Sequence, residues 1–180
     1  MKHTTEITVR SYECDSYNHV NNAVYLNYLE HARMDFLHAA NFDYKGIVAA
    51  GFYLYVTHIN IHYKGSAFLD DKLLVETFPT KLKHVMGEFH QTIKKEDGTI
   101  CAEADVTWAS VQKDGRPSKI PENFLVEGLK PNKRKVDIYD EDEDVFETKE
   151  EVVIDTEDEH LIDEYTAIVR DTNSRVTVRQ

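Results

Sequence analysis

From Ala23 to Ala40 the chain runs 18 residues without a glycine or a proline. Tyr25, Leu29, Ala32, Phe36 and Ala39/Ala40 recur there at helical spacing. Val24, Leu26 and Leu37 add apolar character away from that stripe. This is the most constraining feature of the sequence: a long helix with so broad an apolar surface has to be covered by other structure on most sides. Asn21 or Asn22, just ahead of it, is a suitable N-cap.

The period changes to two on either side of the helix. Glu6 to Tyr12 alternates in the strand manner, with Ile7 and Val9 on one face. Phe52–Tyr63 and Leu73–Thr80 read as two further strands. Runs near Lys81–Lys94 and Ile100–Lys113 read as two more, joined through Glu96-Asp97-Gly98, a strong hairpin signal. Asp114-Gly115 and Pro117 end the last of them. One strand, one long helix and four successive strands predict an α+β domain of about 130 residues with an antiparallel sheet.

Charge divides the chain. The formal net charge is -12, yet residues 1–136 hold 17 basic and 17 acidic side chains, and residues 137–180 hold 4 and 16. The expected organisation is a neutral domain over 1–136 and an acidic extension over 137–180. That extension is expected to be partly disordered or to add short strands at Val152–Ile154, Ala167–Val169 and Val176–Val178. A bulk nucleic-acid binder is excluded, because gripping phosphates needs a basic surface.

Two cysteines, Cys14 and Cys101, cannot make a disulfide framework, so a reducing compartment is the simpler reading. The first ten residues are polar, and no apolar run approaches the ~20 residues of a membrane helix. The expectation is a cytoplasmic protein with no membrane insertion. His58 and His62 have helical ligand spacing but fall on a strand, where the rings would stand roughly 13 Å apart, too far to share one metal. With no P-loop or dinucleotide fingerprint either, neither metal nor cofactor is expected.

The residues best able to carry chemistry lie between Tyr12 and Arg33, in the segment YECDSYNHVNNAVYLNYLEHAR. It reads as a strand, a polar loop with one carboxylate and one imidazole, and the start of a buried helix. A helix N-terminus offers unpaired N–H groups that can stabilise an oxyanion. Asp15 can attack the same carbonyl, or activate water against it, from the other side. His19 can hydrogen-bond the carbonyl or orient the carboxylate. Taken alone, these residues fit better as a turn, a cap and a structural histidine. Cys14 is a competing nucleophile without an evident basic partner.

The segment resembles the signature of the hotdog-fold acyl-CoA thioesterases, the 4-hydroxybenzoyl-CoA thioesterase-like superfamily, and most of all the bacterial long-chain enzymes. The match runs Asp15-Ser16-Tyr17-Asn18-His19-Val20-Asn21-Asn22, then Tyr25, then Glu30-His31-Ala32-Arg33. Ile59–Tyr63, Ser66–Asp71 and Asp114–Pro117 agree with it, over about residues 5–128. One position departs: Asn18 stands where the family has glycine, and asparagine tolerates the left-handed turn.

The resemblance implies a five-stranded antiparallel sheet wrapped around the central helix. It also implies a homodimer or homotetramer joined at sheet edges, with the site at the subunit interface. By the same resemblance Asp15 is the catalytic carboxylate, nucleophile or base, and His19 belongs beside it. The oxyanion contact is the backbone N–H of Asn22 or Ala23. CoA phosphates are expected to meet Lys64, Lys81, Arg116 or Lys119, with Arg33 a further substrate contact. Tyr25, Phe52, Tyr53 and Tyr55 are candidate walls of the acyl slot. The alternatives are a hotdog hydratase or dehydratase and a non-catalytic acyl-thioester or partner-binding module.

Overall fold

The computed structural model describes residues 1–131, which lie within a compact unit spanning Met1–Asn132. The expectations for the acidic extension, and the domain boundary at 136, lie outside the described residues. The elements are β1 (His3–Thr8), α1 (Asn22–Ala39), α2 (Tyr44–Ala49), β2 (Phe52–Tyr63), β3 (Lys72–Leu82), β4 (Met86–Lys95) and β5 (Ile100–Gln112). Short 3₁₀ turns occupy Ser11–Glu13, Glu122–Phe124 and Glu127–Leu129. The strands form one sheet in the order β1-β3-β4-β5-β2, antiparallel at every pairing.

Helix α1 buries Tyr25, Tyr28, Leu29, Ala32, Arg33, Phe36 and Leu37. These recur every three or four positions, so a single stripe faces the sheet. The buried surface is narrower than the sequence suggests, because Leu26 sits on the outer side with Asn22, Ala23 and Glu30. The N-terminal half packs with Leu73, Val75, Ile93, Ala102, Ala104 and Val106. The small side chains of Ala102 and Ala104 leave room for the tyrosines of the helix. The C-terminal half places Phe36 and Leu37 with Ile47, Phe89, Trp108 and Leu129.

Three boundaries differ from the sequence reading. Strand β1 begins at His3 and ends at Thr8, where its pairing with β3 runs out at Lys72. Strand β3 continues through Pro79 to Leu82, so Lys81 belongs to the end of this strand rather than the start of the next. Proline is tolerated there because β1 pairs only as far as Thr77, which leaves Pro79 with a neighbour on one side, and a bulge follows it. Helix α2 was not anticipated. Its signal is Asp43, whose side chain caps the Gly46 amide at 2.9 Å.

Gly87 fits its place by lacking a side chain: a Cβ there would stand 2.3 Å from the Trp108 ring. Strand β2 pairs with β5 alone, so its other edge carries no sheet partner among the described residues. No helix among the described residues is long and apolar enough to cross a membrane.

Candidate active site

Residues 14–20 form a tight hairpin between the 3₁₀ turn and α1. Cys14 and Val20 make a bridge, Asp15 N–H donates to the His19 carbonyl at 2.9 Å, and Asn18 N–H donates to the Asp15 carbonyl at 3.0 Å. Asn18 takes φ 62, the left-handed conformation that the glycine of the family pattern would supply. The hairpin is pinned from both ends. Val20 N–H donates to the Ala67 carbonyl at 2.8 Å, and the Glu13 carbonyl accepts from Asn21 N–H at 3.0 Å. The Glu13 carboxylate accepts from the Tyr28 hydroxyl at 2.8 Å. Burial first, then that carboxylate, pushes the Tyr28 hydroxyl well above its ordinary pKa.

The Asp15 carboxylate is aimed by this turn. Its Oδ1 accepts from Tyr17 N–H at 2.8 Å, and its Oδ2 lies 3.5 Å from His19 Nδ1. The Tyr17 ring stacks on the His19 ring at 6.0 Å between centroids. The carboxylate therefore holds one orientation while Oδ2 stays available beside an imidazole.

The start of α1 separates the two oxyanion candidates. The Asn21 side chain accepts from Ala23 N–H at 2.9 Å, and the Asn21 carbonyl accepts from Val24 N–H at 2.9 Å. No protein acceptor meets the Asn22 N–H among the described residues. The open donor at the helix N-terminus is thus Asn22, while Ala23 is occupied by the cap.

Asp15, His19, Asn22 and Tyr25 line one cleft of about 330 Å³ together with Tyr63, Gly65 and Ser66. The Tyr25 hydroxyl accepts from Ala67 N–H at 3.2 Å and donates to the Gly65 carbonyl at 3.4 Å. Desolvation pushes its pKa from 10.0 up to about 12, with the Ala67 bond opposing. A larger groove of about 440 Å³ lies between Ala50–Phe52 and Gln112–Asp114. Its lining includes no histidine and no helix N-terminus.

The other expected residues are dispersed. Lys64 adjoins the cleft, following Tyr63 and preceding Gly65, and pairs with Glu103. Lys81 pairs with Glu88 at 3.0 Å and Arg116 with Asp114 at 3.0 Å; neither lines the cleft, nor does Lys119. Arg33 is 7% exposed and is held by Gln91 of the sheet and by Glu30 of its own helix. Burial pulls its guanidinium pKa down, against the pull of Glu30. This placement puts Arg33 in the core and off the lining of the cleft. Phe52 belongs to the second core and the larger groove, and Tyr53 and Tyr55 contact each other on β2 at 5.8 Å between centroids. The Cys14 thiol is directed toward the Arg10 carbonyl at 3.9 Å.

Tyr17, Tyr63 and Ser66 also line the cleft. All three stand in segments that match the family pattern, but the sequence assigns none of them a role. Tyr63 reaches the cleft from the end of a strand. Sequence distance hid it.

A carboxylate with a free oxygen, an imidazole beside it and an open helix N-terminal amide on one cleft suit attack on an electrophilic carbonyl. The model of the thioesterase-like superfamily matches residues 9–127. The long-chain acyl-CoA thioesterase FadM of Escherichia coli is 34% identical over 126 residues, 69% of this chain and 95% of that protein. The chloroplastic acyl-acyl carrier protein thioesterase ATL2 of Arabidopsis thaliana is 27% identical over 122 residues, 66% of this chain and 64% of that protein. Among solved structures, the probable thioesterase YbaW of Escherichia coli superimposes with a TM-score of 0.58 at 34% identity, covering 68% of this chain and 88% of that one. The chain belongs to the thioesterase-like superfamily and is a thioester hydrolase of the hotdog fold.

Proposed function

We propose that this hydrolase cleaves fatty acyl-CoA thioesters to the free acid and CoA, with Asp15 as the working carboxylate. The observation that carries this reading is that Asp15 and Asn22, whose N–H meets no protein acceptor among the described residues, line one cleft. A thioester carbonyl seated between them would be attacked on carbon by Asp15 itself, or by water that Asp15 deprotonates. Its oxygen would meet the Asn22 amide. The C–S bond then breaks and CoA leaves as a thiol once protonated. On the direct route, water opens the resulting anhydride and restores the carboxylate. His19 orients Asp15 or shares its proton.

Long-chain preference is supported by the name of the Escherichia coli relative, and the Arabidopsis thaliana relative argues for including acyl-carrier-protein substrates. Lys64 is the CoA-phosphate contact favoured by position. Assembly into a homodimer or homotetramer is supported by the unpaired edge of β2, where Tyr55 and Val56 are exposed. Free Cys14 and Cys101 fit a cytoplasmic setting.

The test is a hydrolysis panel over chain lengths, aryl-CoA and acyl-carrier-protein esters, repeated with Asp15→Asn and Asp15→Ala. Each variant is expected to lose about 100-fold or more in rate. Retention of the full rate on every accepted thioester would sink the assignment.

A further inference from the structure

The geometry points to Tyr63 as a positioning residue that fixes the helix N-terminus against the thioester carbonyl, an inference that rests on the reading above. Tyr63 is the last residue of β2, 41 positions from Asn22, yet its hydroxyl donates to the Asn22 carbonyl at 2.9 Å. Its ring meets the Tyr25 ring edge-on, at 5.5 Å between centroids and 74° between planes. Both rings line the cleft that holds Asp15 and Asn22.

The bond is not one the fold requires. A carbonyl in the first turn of a helix is served by the amide four residues on, so Asn22 has no unmet need for a second donor. Tyr63 is 47% exposed, and water could satisfy its hydroxyl equally well. What the contact adds is a lateral tie between the first turn of α1 and the end of the sheet. Tyr25 supplies the opposite tie, from the helix to Gly65 and Ala67. Together the two tyrosines hold Asn22 from β2 and from the segment that follows it.

Position matters here because an oxyanion donor works only when it is already in place. Its hydrogen bond shortens as charge develops on the oxygen, and a donor free to drift loses that gain. Tyr63 touches the peptide that carries the helix forward from Asn22. It therefore acts through Asn22, and its loss should appear in the transition state rather than in substrate binding.

The experiment is steady-state kinetics of the full chain and its Tyr63→Phe and Tyr63→Leu variants on the best thioester of the panel, per folded molecule by circular dichroism. Tyr63→Phe keeps the ring on Tyr25 and removes the tie. The expected result is a fall in kcat of about 10-fold with KM within about 2-fold. Tyr63→Leu also removes the ring and is expected to fall further in kcat. Either an unchanged kcat in Tyr63→Phe, or a raised KM at constant kcat, overturns the positioning role. Should Tyr63→Phe fold poorly, hydrogen exchange of the Leu26 amide, which the Asn22 carbonyl accepts across the first helical turn, decides in its folded fraction: faster exchange than in the parent supports the tie, and an equal rate overturns it. A parent chain inactive on every thioester would overturn the functional reading and this inference together. An active parent with an indifferent Tyr63→Phe overturns this inference alone.

Discussion

Arg33 Nη1 donates to Gln91 Oε1 at 2.9 Å, joining the middle of α1 to β4 inside the core. The Gln91 amide nitrogen in turn donates to the Leu29 carbonyl and to Thr77 Oγ1, each at 3.0 Å. Every group in this buried set has a partner, and such a set is tolerated only while complete. Gln91→Leu would strand a guanidinium N–H and take the donor from the Thr77 hydroxyl, while the Leu29 carbonyl keeps its helical partner. The expected loss is about 2–3 kcal/mol of stability, read from urea unfolding. KM of the folded fraction should not move in Gln91→Leu or in Arg33→Met. A raised KM in Arg33→Met would mark Arg33 as a substrate contact.

Asn22 occupies the first helical position, where proline is well accepted because its missing N–H is one the helix does not use. The preceding residue, Asn21, already sits at φ -59 and ψ 138, a conformation a following proline favours. Asn22→Pro should therefore keep the melting temperature within a few degrees while removing the proposed oxyanion donor. Loss of one such donor lowers kcat by about 100- to 1000-fold. Asn21→Ala should behave in the opposite way, losing about 1 kcal/mol of stability through the cap while sparing more of the rate.

Gly87→Ala would drive a methyl group into the Trp108 ring, and the same Cβ would stand 3.0 Å from the Lys81 carbonyl. Neither neighbour can withdraw easily, because Trp108 is packed in the second core and Lys81 pairs across the sheet with Glu88. Overpacking of this kind costs about 1–3 kcal/mol. Thermal unfolding should show it.

Stability should decline in acid. The His3 and Thr5 hydrogen bonds hold Asp35 below its ordinary 3.8. The Lys2 and Lys94 contacts hold Glu76 below 4.5, and Lys95 lowers Asp71. Groups depressed in the folded state stabilise it above their unfolded pKa, and the contribution is lost as pH falls through the folded value. Unfolding free energy should thus drop from about pH 4.5 downward. Asp35→Asn should flatten that slope. At the other extreme, Tyr25 is raised from 10.0 to about 12, so its contribution is whole below pH 10 and fades as pH climbs toward 12. Tyr25→Phe should lessen that alkaline decline, with the also-raised Tyr28 hydroxyl keeping the remainder.

The helix and strands were legible because burial imposes a period: Tyr25, Leu29, Ala32 and Phe36 mark one face of α1 whichever partner covers it. The Asp15 hairpin was legible because residues 14–22 are contiguous and their turn chemistry is local. Tyr63 was hidden because its role arises only when the end of β2 meets a helix 41 residues earlier. The burial of Arg33 was not legible: a cation on a helix is ordinarily solvated, and only the fold reveals Gln91 opposite it. The extent of β3 depended on where β1 stops, which Pro79 alone does not disclose.

The carboxylate of Asp15 takes its direction from main-chain atoms, the Tyr17 amide on one oxygen and the hairpin around it. Those atoms are the same whatever side chains stand at positions 16 and 17. Mutational drift at position 17, which lines the cleft, can make it larger, greasier or more polar without re-aiming the proposed working carboxylate. An enzyme built this way can exchange one clientele of acyl groups for another while its reactive centre stays where it was.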